Sequence, residues 1–150
     1  MQIQRIQTLM LVLAIAALIV FLYVPYGYWD IELTAGGEAM PQMIACGQPV
    51  MLWFTVLTCV VILCSIFLYN KMPLQKSLVA IASVMVVALA CVVVYNLTRP
   101  VEIATAEVTS MTPAWGIGGL MLVAALVALV AAYRGISRDQ KLLRSYNSLR

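Results

Sequence analysis

The sequence has 150 residues, of which 64% are hydrophobic and 10% charged, with a formal net charge of +3. A soluble domain is nearer half apolar and a quarter charged, and a chain of this size cannot hide such an excess from water. An ordinary soluble fold is therefore excluded, and the absence of histidine also removes bis-histidine haem ligation, most catalytic zinc sites and Ser-His-Asp chemistry.

In chain order, the first element is an uncharged apolar run over residues 6–24, closed by Pro25. It suits a helix crossing a hydrocarbon core, which takes about 20 residues. A cleaved signal peptide does not fit, because Tyr26-Gly27-Tyr28-Trp29 lacks the small residues of a cleavage site. A loop follows over residues 26–49. In it Trp29, Ile31 and Leu33 alternate with Asp30, Glu32 and Thr34, which is a strand period, and Ala35-Gly36-Gly37-Glu38 reads as a turn. Met43-Ile44-Ala45-Cys46-Gly47 resembles a lipoprotein cleavage box but has no apolar run before it, and is read as chance.

Pro49 opens a second apolar run over residues 50–69, and Asn70 to Pro73 form a turn cluster. The third run covers 77–97. A second loop, 98–113, holds the β-rich stretch Val101-Glu102-Ile103-Ala104-Thr105-Ala106-Glu107-Val108-Thr109. Thr112 and Pro113 read as a helix cap and opening proline for the fourth run, 114–133. No run contains Lys, Arg, Asp or Glu. The expected fold is an all-α membrane protein, a bundle of four transmembrane helices in a single domain. The two loops are expected to form a small antiparallel β cap, with solvated loops as the alternative.

Charge falls on two sides. Arg5, Lys71, Lys76, Arg134, Arg138, Lys141, Arg144 and Arg150 share one side of an even-span bundle, leaving Arg99 alone among the nine basic residues on the other. That other side holds Asp30, Glu32, Glu38, Glu102 and Glu107, five of the six acids. The positive-inside rule then places both termini in the cytoplasm. Tyr23, Tyr26, Tyr28, Trp29, Trp53, Tyr69, Tyr95, Trp115 and Tyr133 sit near run ends, as an interfacial aromatic belt or as space filling. The outer acids show no ligand-loop spacing and read as a solvated face rather than a cation site.

Intramembrane charges mark ion paths, proton relays and substrate sites, and these spans have none. That argues against a proton-coupled carrier and an intramembrane protease. Only Thr55, Thr58, Ser65, Ser83 and Asn96 are available to line a polar path. Small residues offer close helix packing instead: Ala14 and Ala17 in the first span, and Gly116, Gly118, Gly119, Ala124, Ala128 and Ala132 at the fourth. The candidate packing face is Gly116, Gly119, Ala124, Ala128 and Ala132, serving the bundle itself or another membrane protein. Of the four cysteines, Cys46 is alone in its loop, Cys59 and Cys64 are in the second span and Cys91 is in the third. No CxxC occurs. They read as small buried hydrophobes, as the nine methionines read as gap filling. A thiol oxidoreductase would need Cys46 and Cys91 within about 7 Å between Cα atoms.

The last element is the tail, 134–150. On a helical wheel Ile136, Leu142, Leu143, Tyr146 and Leu149 gather opposite Arg134, Arg138, Lys141 and Arg144. This is a basic amphipathic helix about 25 Å long, suited to an anionic leaflet or to a partner. Gly135 offers a break between it and the fourth span. Asp139 is the only acid on that side, paired with Arg134 or a loop lysine, or solvated.

Three stretches carry a resemblance. Ile3-Gln4-Arg5-Ile6-Gln7-Thr8, the turn Asn70-Lys71-Met72-Pro73-Leu74-Gln75, and Asp139 with Leu142-Leu143-Arg144-Ser145 and Arg150 together resemble Domain of Unknown Function family 4293, small four-span inner-membrane proteins of Bacteroidota. The chain departs from that pattern at Met72 and Pro73, where the family carries a basic residue, and at Tyr146-Asn147-Ser148, which replaces a more charged stretch. The resemblance implies inner-membrane localisation and architecture, and no reaction. All three stretches lie on the cytoplasmic side. Gln4, Arg5, Gln7, Asn70, Gln75, Arg134, Asp139 and Arg144 are therefore the candidate interaction cluster there.

Three functions compete. The first is a non-enzymatic accessory or structural subunit of a larger membrane complex, with lipid and another integral membrane protein as partners and no nucleic acid, cofactor or metal. The second is a small oligomeric transport or lipid-handling protein, and the third a thiol oxidoreductase. A lateral groove or water-lined cavity favours the second, and a dry bundle favours the first.

Overall fold

Hydrocarbon offers the backbone no hydrogen-bond partners, so long apolar runs must satisfy their own N–H and C=O groups as helices. The computed structural model describes residues 2–33, 40–44, 49–68, 71–98 and 108–148. Among these, four helices are long and apolar enough to cross a membrane. They are α1 (Gln2–Tyr23), α2 (Pro49–Phe67), α3 (Met72–Thr98) and α4 (Ile117–Ser148). The chain is a multi-pass four-helix membrane protein. The helices form a closed ring: α1 packs on α2, α2 on α3, α3 on α4, and α4 returns to α1 in the most extensive pairing.

The inward faces follow helical spacing. Leu11, Ala14, Leu18 and Phe21 are buried on α1; Val79, Ala82, Val86, Leu89, Val93 and Leu97 on α3; Leu122, Ala125, Leu129, Ala132 and Ile136 on α4. The opposite faces are equally apolar and bare. Val84 is 69% exposed and Leu120 65%, and no more than 33% of any span window is buried inside the protein. Water cannot be the solvent of such a belt; lipid can.

Three strands join the helices at one end: β1 (Gly27–Leu33), β2 (Met40–Ile44) and β3 (Val108–Trp115). They form an antiparallel sheet of order β2-β1-β3. β1 occupies the alternating stretch of the first loop. β3 pairs with it from Gly27↔Trp115 to Glu32↔Ser110, then slips by one residue to Leu33↔Val108, a bulge. Residues 34–39 and 101–107, expected to hold the turn and most of the second β stretch, lie outside the described residues. Each edge strand carries a proline, Pro41 on β2 and Pro113 on β3. Edges tolerate a missing N–H and thereby resist pairing with another chain.

Three boundaries differ from the sequence reading. Thr112 and Pro113 do not cap the fourth helix. They belong to β3, because pairing with β1 keeps the chain extended as far as Trp115, and α4 starts at Ile117. The third helix opens at Met72 rather than 77, since hydrogen bonding from Gln75 N to Lys71 O carries the helix into the polar turn. Gly135 does not separate the tail from the fourth span: α4 runs unbroken through it for 32 residues, about 48 Å. A hydrocarbon core is about 30 Å thick, so the tail is the projecting end of a membrane helix rather than a second helix.

Candidate functional site

Among the described residues, a hollow lies toward each end of the bundle. The first lies at the end where α1 begins. Gln7, in the second turn of α1, donates a hydrogen bond from Nε2 to Oδ2 of Asp139 on α4, a contact spanning 132 positions of sequence. Both side chains are over nine-tenths buried, Gln7 at 7% and Asp139 at 9% exposure. Gly135 permits the approach, since a Cβ there would stand 3.2 Å from Gln7 Cγ. Around this pair is a pocket of about 310 Å3, walled by Ile6, Met10, Ala131 and Leu142 and by the polar Gln7, Arg138 and Asp139. The glycine that offered a break is thus used for close packing.

Of the candidate cluster, the structure brings Gln7 and Asp139 together. Gln75, at the start of α3, is buried at the same end of the bundle. Arg134 is exposed, and the hydrogen bond of Asp139 is with Gln7. Lys76 stands over the ring of Tyr133, 5.0 Å from its centroid. Asn70 and the side chains of Gln4, Arg5 and Arg144 lie outside the described residues. Ser65 near the end of α2 and Ser137 on α4 are buried hydroxyls with no hydrogen-bond partner among the described residues. Every helix therefore contributes buried polar atoms at this end: Gln7, Ser65, Gln75 and Asp139.

The second hollow is a lateral groove of about 620 Å3 between α3 and α4, toward the sheet. Its walls run over residues 86–98 and 115–126, with Ala90 and Gly119 deepening it and Tyr95 and Trp115 at its rim. At 1.5 Å per residue the α3 wall is about 18 Å long, close to the ~15 Å of one leaflet of hydrocarbon. The lining is apolar almost throughout. No sequence motif marks it, because it depends on which sides of two helices face one another; the small residues Ala90 and Gly119 are the only local sign.

Between the hollows, hydroxyls on α2 and α3 bond within their own helices. Thr55 and Thr58 are fully buried, yet their hydroxyls donate to their own helix, to Met51 O and Phe54 O, both at 2.8 Å. Ser83 does the same to Val79 O at 2.8 Å, and Asn96 Nδ2 reaches Met51 Sδ at 3.6 Å. Of the five residues a polar path would have used, these four turn their capacity inward, and Ser65 is the one left without a partner among the described residues.

The small-residue face divides. Ala128 and Ala132 are buried, at 3% and 0% exposure, whereas Ala124 is exposed and Ala125 takes its place in the core. Four residues turn a helix by about 400°, so a strict every-fourth stripe drifts about 40° per step off a straight contact line. Gly116 and Gly119 belong to a different contact, where α4 starts. Gly116 N donates to Tyr26 O at 2.9 Å and Gly118 N to Pro25 O at 3.1 Å, so the first amides of α4 are capped by the chain leaving α1. A Cβ on Gly118 would meet Val24 O at 2.7 Å, and one on Gly116 would meet Pro25 O at 2.5 Å.

Some aromatics form no belt. Tyr26 and Trp29 are buried at 1% and 4% exposure beneath the sheet, and Tyr26 stacks on Phe21 at 6.3 Å. Tyr23, Trp53, Tyr95 and Trp115 are exposed. Cys59 is half-buried, and Cys64 and Cys91 are exposed free thiols; Cys46, and with it the Cys46–Cys91 separation, lies outside the described residues.

The family described as Domain of unknown function (DUF4293) matches residues 3–149. The chain belongs to this family. The match takes in every strand and, but for Gln2, every helix residue, so both hollows lie within the family's extent. No curated protein matches the chain.

Proposed function

We propose that this protein is a non-enzymatic accessory or structural subunit of a larger complex in the inner membrane of a member of the Bacteroidota, with both termini in the cytoplasm. The bonding of the core threonines carries this reading. The buried hydroxyls of Thr55 and Thr58 are spent on their own helix, and no span has an acid or base in its middle to move an ion or a proton. The basic projection of α4 supports the orientation and offers a surface to a partner. Affinity purification of the full chain in mild detergent, followed by mass spectrometry, tests it. A reproducible membrane-protein partner is expected, and recovery of the protein alone counts against the reading.

A second reading, lipid handling, is favoured by the groove between α3 and α4. An apolar furrow of one-leaflet length suits an acyl chain. With Trp53→Phe as background, brominated acyl chains are expected to quench Trp115, which is 67% exposed at the groove rim. Ala90→Phe should then relieve that quenching by filling the furrow. Unchanged quenching removes this reading.

A further inference from the structure

The pocket between α1 and α4 sits at the ends of two membrane spans, Ile6–Tyr23 and Ile117–Leu142. That is the depth at which hydrocarbon gives way to headgroups. In this pocket Met10 and Ala131 lie deeper along α1 and α4 than Gln7, Arg138 and Asp139, and Ile6 and Leu142 flank the polar residues nearer the helix ends. Its mouth opens outward, since Ile6 is 60% exposed and Leu142 54%.

The polar wall pairs opposite charges without joining them. Asp139 is nine-tenths buried and fixed by Gln7, while Arg138, the preceding residue, is exposed, and among the described residues it makes no ion pair. A buried carboxylate is costly unless a cation or strong donors face it. An adjacent unpaired guanidinium is a ready partner for a phosphate. One class of molecule in a bilayer carries a phosphate and a hydrogen-bonding cation a few atoms apart, above an apolar chain.

We infer that this pocket binds a phospholipid whose headgroup ends in a primary ammonium. The phosphate accepts from the Arg138 guanidinium, the ammonium donates to the Asp139 carboxylate, and the upper acyl chain lies over Met10 and Ala131. Discrimination follows from hydrogen bonding. A primary ammonium has three donors, a trimethylated one has none, and a glycerol headgroup has no cation for Asp139. The inference does not depend on the accessory-subunit reading, because either proposed function would be carried out among phospholipids.

The test is lipid titration of the full-length protein, delipidated in detergent, read by native mass spectrometry. The probes are dioleoyl phosphatidylethanolamine, phosphatidylcholine and phosphatidylglycerol. Phosphatidylethanolamine should bind about fivefold more tightly than either of the others, the factor expected for one favourable charge contact at the membrane surface. Asp139→Asn should bring phosphatidylethanolamine to the level of phosphatidylcholine. Arg138→Gln, at an exposed position, should weaken all three by a similar factor. Equal binding of the three lipids by the wild-type protein, a preference for phosphatidylglycerol, or a preference that survives Asp139→Asn overturns the inference. If Asp139→Asn does not fold, the wild-type headgroup series decides alone, since a merely structural Gln7–Asp139 contact gives no headgroup preference.

Discussion

Gly118 and Gly119 are neighbours in the first turn of α4, and neither has a left-handed backbone. Replacing either by alanine gains helix propensity of up to about 1 kcal/mol. The space around them differs. A Cβ on Gly119 meets the Trp115 ring at 3.4 Å, an ordinary contact with a side chain. A Cβ on Gly118 meets Val24 O at 2.7 Å, Pro25 O at 2.9 Å and Pro25 C at 3.0 Å, all rigid backbone. To relieve that overlap α4 must retreat from the end of α1. Overpacking of this kind costs about 1–3 kcal/mol. The retreat also stretches the 3.1 Å bond from Gly118 N to Pro25 O, whose loss costs about 1 kcal/mol. Against the propensity gain, Gly118→Ala should destabilise by about 2 kcal/mol, while Gly119→Ala should be neutral or stabilise by up to ~1 kcal/mol. The gap of about 3 kcal/mol is roughly a hundredfold in the folded-to-unfolded ratio. Equilibrium unfolding in mixed micelles, titrated with sodium dodecyl sulfate, reads it directly. Equal effects of the two substitutions would refute the close approach of α1 and α4.

Removing the donor tests the buried pair. Gln7→Leu leaves Asp139 without the hydrogen bond that Gln7 gives it. A buried polar group stripped of its partner costs about 1–3 kcal/mol, so the variant should lose stability by that amount, and an unchanged unfolding free energy rejects the contact. Thr55→Val keeps shape and removes a hydroxyl whose acceptor, Met51 O, already serves the α2 helix. The change in unfolding free energy should stay within about 1 kcal/mol, and a loss of several kcal/mol would reveal a polar role beyond the bond to Met51 O.

The membrane spans were legible in the sequence because charge is absent from each run, and hydrocarbon thickness sets their length. What escaped depends on neighbours distant in sequence. Asp139 reads equally well as a partner of Arg134 or as solvated, and only the packing of α1 on α4 brings it to Gln7. Thr112 and Pro113 have the local signature of a helix start, and pairing with β1 overrides it. Gly135 has the local signature of a break, yet the helix continues because the bare Cα admits the Gln7 side chain. Of the stripe of alanines, Ala128 and Ala132 face the core and Ala124 faces outward, with Ala125 buried beside it.

The pairing of α1 with α4 is fastened at both ends. At the sheet, Gly116 and Gly118 hold the backbone of Pro25 and Tyr26; at the other end, Asp139 holds Gln7 across Gly135. These fastenings are about 20 residues apart along α4, roughly 30 Å of rigid rod. Two helices fastened at both ends resist separation, so widening the furrow beside Ala90 and Gly119 without breaking either fastening requires the hairpin of α2 and α3 to shift. The projecting basic end of α4 belongs to the fastened pair, so a partner that grips it takes hold of the fastened half of the bundle and leaves the hairpin free to yield.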